Sequence, residues 1–77
     1  MFEYTVCTQA NEALFYRQCK SIEENVPGLT ASKLLDDVDG TLVQKYINQR
    51  GCVIVKNDCQ VDALYVQSDF DLLPYFK

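Results

Sequence analysis

Phe15, Cys19, Ile22 and Val26 recur at intervals of three and four, so one apolar stripe runs down a helix of about residues 11–25. Thr8 or Asn11 stands where an N-cap is needed. Asn25-Val26-Pro27-Gly28 stops the helix, because proline drives the residue before it out of the helical region and glycine permits a reversal. A single stripe must be buried against something, and its flanks have the texture of strands. Phe2, Tyr4 and Val6 alternate with Glu3, Thr5 and Cys7, the period of a strand with one apolar face. Cys52-Val53-Ile54-Val55 is a short apolar run suited to a central strand, and Val61 to Gln67 gives the last one.

Between helix and central strand the pattern is weaker. Leu29, Leu34 and Leu35 are the strong apolar positions from Gly28 to Asp37, and a strand is expected from about Ser32. Asp39-Gly40, between Val38 and Thr41, is a hairpin signal, because a type I′ turn needs positive φ at both central residues. Thr41 to Ile47 is then the returning strand. The same segment also fits helical spacing at Leu42, Val43, Tyr46 and Ile47, with Thr41 and Gln44 as a capping box and Gly51 as a C-cap. Thr, Val, Tyr and Ile favour pleated surfaces, which selects the strand. The expected fold is therefore α+β: one helix on one face of a mostly antiparallel sheet of four to five strands, in the order β-α-β-β-β-β. The alternative is a ferredoxin-like sandwich with a second short helix at about 41–50.

All 77 residues form a single domain, since so short a chain supplies one core only. Eleven acidic residues against seven basic ones give a net charge of −4, which repels a phosphate backbone, and the basic residues form no stripe. Neither nucleic acid nor an anionic membrane is an expected partner. Met1-Phe2-Glu3-Tyr4 brings neither a basic n-region nor a long apolar run, so a cytoplasmic location and reduced thiols are expected. Cys7, Cys19, Cys52 and Cys59 are separated by eleven, thirty-two and six residues, and the chain has no histidine. Zinc ligands normally come in close pairs, so no metal and no cofactor is expected. Without histidine a thiol also lacks its usual activator; Cys7, near the helix start, is the one cysteine placed for activation by a helix N-terminus.

Asp37-Val38-Asp39-Gly40-Thr41, followed by Leu42, resembles the Asp-x-Asp-Gly-Thr signature of the haloacid dehalogenase superfamily of phosphatases. The resemblance implies magnesium-dependent phosphotransfer, with Asp37 as nucleophile and Asp39 as acid/base. It also implies a doubly wound parallel sheet, each of whose connections takes a dozen or more residues. Only 36 residues follow Thr41. A calcium loop aligned on Gly40 places its first and twelfth ligands at Leu35 and Tyr46, neither a carboxylate. The turn reading is accordingly preferred, with phosphotransfer as its enzyme-class alternative.

No catalytic residue is expected, and surface recognition is what remains. The expectation is a small acidic non-enzymatic domain acting by protein–protein interaction, as an adaptor, regulator or inhibitor, on a protein partner that is basic by charge complementarity, or as a homodimer. Asp36, Asp37, Asp39, Asp58, Asp62, Asp69 and Asp71 crowd the second half, and the tail adds exposed-looking aromatics. Asp69, Asp71, Tyr75 and Phe76 are the candidate partner-binding residues.

Overall fold

A computed structural model describes residues 2–76. The helix α1 (Glu12–Asn25) starts where Asn11, in extended conformation, accepts a hydrogen bond from Leu14 N at 3.0 Å on its Oδ1. This is the capping geometry that satisfies an otherwise orphaned first-turn amide. At the other end Val26 leaves the helix while its N–H still donates to Ile22 O. The stripe Phe15, Cys19, Ile22 and Val26 is buried along its length.

Six strands form one antiparallel sheet: β1 (Phe2–Cys7), β2 (Thr30–Ala31), β3 (Leu35–Asp36), β4 (Leu42–Asn48), β5 (Gly51–Asp58) and β6 (Ala63–Ser68). The spatial order is β1-β6-β5-β4-β2, with β3 also on β4. The first strand thus pairs with the last, and α1 carries the chain from the β1 edge across the sheet to the far edge. The α+β class and the order of elements are as the sequence predicts, with more strands than the four to five expected.

The additional strand arises where the pattern is weakest. Instead of one strand from Ser32, two two-residue bridges flank Ser32-Lys33-Leu34; Ser32 N still donates to Lys45 O at 2.8 Å, and the chain bulges at Lys33-Leu34 so that Leu34 packs inward while Leu35 faces out. The ferredoxin-like alternative fails at residues 41–50, because β4 pairs with β5 from Leu42↔Asn57 to Asn48↔Gly51. The last strand starts at Ala63, not Val61, since the Asp58 carboxylate holds Gln60 N and Val61 N in the preceding turn and Asp62 adopts φ +53.

The Asp37–Thr41 turn also differs in type from the expected two-residue turn. Asp37 N donates to Thr41 O at 2.9 Å and Gly40 N to Asp37 O at 3.0 Å, which makes Val38-Asp39-Gly40 a three-residue loop. Such a loop needs positive φ at its last residue only. Gly40 has φ +88, and Asp39 does not join it; Asp39 Oδ1 instead accepts from Thr41 N at 2.9 Å.

The core lies between α1 and one sheet face, with Leu42, Tyr46, Val53, Val55, Leu64 and Val66 against the helical stripe and Leu72 closing it. Tyr46 is 1% exposed, and its hydroxyl donates to Glu23 Oε2 at 2.9 Å. Burial, and then that hydrogen bond, push its phenol far above the ordinary value. Cys19 lies beside it, and burial raises its thiol as well. No helix among the described residues is long and apolar enough to cross a membrane.

Candidate functional site

β1 is an edge strand: its one partner is β6, from Phe2↔Ser68 to Cys7↔Leu64. An unpaired edge presents a row of free N–H and C=O groups. A bulge between Thr5 and Cys7 interrupts the ladder and leaves Val6 as the extra, exposed residue. The regular free edge is therefore Phe2 to Thr5.

Beside this edge, on the helix side, lies an apolar groove of about 180 Å³. Tyr4 and Val6 form one wall, Gln18 of α1 the second, and Leu73 and Phe76 of the tail the third, over a floor that includes Val66. Its volume is close to the roughly 150 Å³ that accommodates benzene in an engineered cavity, and below the roughly 300 Å³ at which small-molecule sites begin. The groove fits one apolar side chain.

The tail owes its position to hydrogen bonds. Tyr4 Oη donates to Asp71 Oδ1 at 2.8 Å and accepts from Leu72 N at 3.0 Å; Leu73 N donates to Asp71 Oδ1 at 3.0 Å. Ser68 Oγ donates to Phe70 O at 2.6 Å. Leu73–Tyr75 then form a 3-10 turn, with Pro74 in its first turn where a missing N–H costs nothing.

Of the four candidate residues, Phe76 lines the groove and Asp71 orders its rim. Asp69, itself exposed, accepts from Cys52 N at 2.9 Å, and Tyr75 is held by Arg50 Nη1 at 2.7 Å and by an edge-on contact with Phe70. The aspartates do not form one patch. Asp69 and Asp71 sit at the end of the sheet where α1 finishes; Asp37, Asp39, Asp58 and Asp62 sit at the opposite end, in the β3–β4 and β5–β6 turns. Asp62 Oδ1 takes Ala10 N and Asn57 Oδ1 takes Asn11 N, both at 2.8 Å, so polar groups at that end fasten the start of the helix. Tyr4, Val6, Gln18 and Leu73 were not singled out by the sequence: their convergence depends on β1 pairing with the last strand.

The Asp37-Val38-Asp39-Gly40-Thr41 stretch joins two antiparallel strands. The parallel sheet implied by the resemblance to haloacid dehalogenases is not the architecture found. All four cysteines are free, on β1, α1, β5 and the β5–β6 turn, and among the described residues no three His, Cys, Asp or Glu side chains converge as a metal would require.

Three carboxyls are held below the ordinary range. Asp71 is lowered by Tyr4 Oη and Leu73 N, and Asp39 by the backbone and hydroxyl of Thr41. For Asp58 burial acts upward, and the amides of Gln60 and Val61 with Lys56 outweigh it. Groups depressed on folding stabilise above their unfolded value of about 3.9, and that contribution is lost as pH falls through the folded values. The urea midpoint is expected to be level from about pH 7 to about pH 5 and to fall below about pH 4, less steeply in Asp71→Asn. An identical acid limb in Asp71→Asn would remove Asp71 from this account.

No family model, curated protein or solved structure matches this chain.

Proposed function

We propose that this chain is a non-enzymatic protein-interaction domain that receives an extended segment of a partner along the Phe2–Thr5 edge and seats one apolar side chain in the groove beside it. The observation that carries this reading is the adjacency of the two features: the free strand edge and the one-side-chain groove share Tyr4. An added strand gains affinity from main-chain hydrogen bonds, and because its side chains alternate, every second one points to the helix side. Glu3 and Asp71 flank the edge, and with the net charge of −4 they favour Lys or Arg beside the apolar anchor. This retains the basic partner expected from the sequence and moves its contact from Asp69 and Tyr75 to the β1 side of the tail.

The test is selection from a library of random twelve-residue peptides on the immobilised domain, followed by titration of the selected peptides. The expected sequences carry one apolar anchor with a basic neighbour, and Val6→Lys is expected to weaken them by roughly tenfold or more, since a charge at the groove wall meets an apolar side chain. Val6 is exposed, so the variant is expected to unfold at the wild-type urea concentration. Peptides whose binding survives both Val6→Lys and Phe76→Lys would overturn the assignment of the groove. Magnesium-dependent phosphatase turnover that disappears in Asp37→Asn would overturn the non-enzymatic reading.

A further inference from the structure

Among the described residues, no helix covers the sheet face opposite α1. The residues of that face fall in cross-strand rows: Lys45, Ile54, Gln67 and Glu3 in one, and Leu35, Val43, Lys56, Tyr65 and Thr5 in the next, with the exposed Leu35 of β3 at its end. Ile47 and Cys52 begin a third. Lys56 has a local counter-charge, with Nζ 3.5 Å from Asp58 Oδ2. Lys45 and Glu3 have no ion-pair partner among the described residues, and both side chains are exposed. They stand at opposite ends of one row, three inter-strand spacings or about 14 Å apart, too far to meet within one chain.

We propose that this face is a self-association surface, occupied by a second copy of the same chain. A two-fold axis lying between the stacked faces and parallel to the strands, passing between β5 and β6, reverses each row onto itself. Lys45 then faces Glu3 of the other copy, and Glu3 faces its Lys45. Ile54 lies over Gln67, Lys56 over the ring of Tyr65, and Val43 over Thr5, so each long or charged group meets an accommodating one. The perpendicular choice of axis leaves Glu3 over the same edge as its own copy and gains no attraction. Charge therefore selects both the occupant and the symmetry, as a self-complementary two-fold contact requires. The usual angle of about 30° between stacked sheets displaces the row ends by a few ångströms, within reach of a lysine side chain.

Four residues in each of the two rows and the two residues of the third cover about 330 Å² per copy, or about 650 Å² in total, the low end of weak, transient contacts. The dimer is expected to be concentration-dependent. Sedimentation velocity from about 10 µM to about 1 mM spans the affinities such an area supports. Glu3→Lys and Lys45→Glu each exchange two attractions for two like-charge contacts and are expected to weaken association by roughly tenfold or more. Two further samples distinguish this surface from others. The double variant Glu3→Lys/Lys45→Glu restores self-association, and an equimolar mixture of the two single variants forms a heterodimer, because both ends of the Lys45-to-Glu3 row are then positive in one copy and negative in the other.

A wild-type chain that is monomeric at about 1 mM overturns the inference and leaves the face to a protein of different sequence. A dimer indifferent to both single substitutions, or one lost in Val6→Lys on the opposite side of the sheet, overturns it equally. A monomeric wild type, or a dimer indifferent to both single substitutions, leaves peptide binding at the groove untouched, whereas a dimer lost in Val6→Lys moves self-association to the groove side.

Discussion

Gly51→Ala is expected to remove about 2–6 kcal/mol of stability, the sum of backbone strain and overpacking of about 1–3 kcal/mol each. Gly51 ends the tight β4–β5 connection at φ +142, a conformation that residues with a Cβ rarely adopt. A Cβ there falls 2.7 Å from Asp69 Cβ and 2.9 Å from Asp69 Oδ2, the oxygen that accepts from Cys52 N. Asp69 must move and that hydrogen bond goes with it. Gly28→Ala is the control, because Gly28 also has positive φ, +74, with nothing within 4 Å of the added carbon. It is expected to cost about 1 kcal/mol, the conformational term alone. Chemical denaturation of the two variants separates the terms. Equal losses would mean that Asp69 yields freely and that only the backbone angle matters.

The second large effect is expected at Tyr46. It is the largest fully buried side chain, and Tyr46→Ala is expected to cost about 3–5 kcal/mol, as for other large aromatic truncations in cores. A chain of this length has a total stability of roughly 4–12 kcal/mol, so this variant stands near the unfolding threshold at 25 °C. Tyr46→Phe divides packing from hydrogen bonding. Its ring remains, and the released Glu23 is on the exposed side of α1 where water replaces the hydroxyl, so the loss is expected to be about 1 kcal/mol. A Tyr46→Phe loss as large as that of Tyr46→Ala would show that the Glu23 contact, and not the filling of the core, fixes the helix on the sheet.

The elements that were legible in the sequence are those with a sustained period. The stripe at Phe15, Cys19, Ile22 and Val26 spans about three turns and fixes α1 to within a residue at its start, and Asn11 proves to be the cap. The strand at Leu42–Asn48 was ambiguous because Leu42 and Tyr46, four apart, share a face in either structure. Its pairing with β5, a non-local fact, decides the matter. β2 and β3 contain two residues each, and two residues carry no period. The turn at Asp37 to Thr41 was recognisable from Asp39-Gly40, yet its loop length is set by which strand residues pair, so the φ of Asp39 did not follow from its identity.

Among the functional candidates, Phe76 reaches the groove, whereas the aspartates mislead as a group. An aspartate that accepts a buried amide and one that faces solvent are spelled alike, and Asp39, Asp58, Asp62, Asp69 and Asp71 all accept hydrogen bonds from the chain itself. The groove and the Lys45-to-Glu3 row were invisible for a common reason. Each joins residues of β1 to residues more than forty positions away, through a register that only the closed sheet defines.

The two margins of the sheet are unlike. On the β4 side, β2 and β3 offer two residues each, and the bulge at Lys33-Leu34 interrupts the row of backbone groups between them. On the β1 side a short regular row is open. A strand that docks on β1, from a partner or from another copy, meets a sheet whose far side is interrupted. Short, interrupted edge strands of this kind are one of the ways a sheet limits further strand addition, and here that device lies on the margin opposite β1.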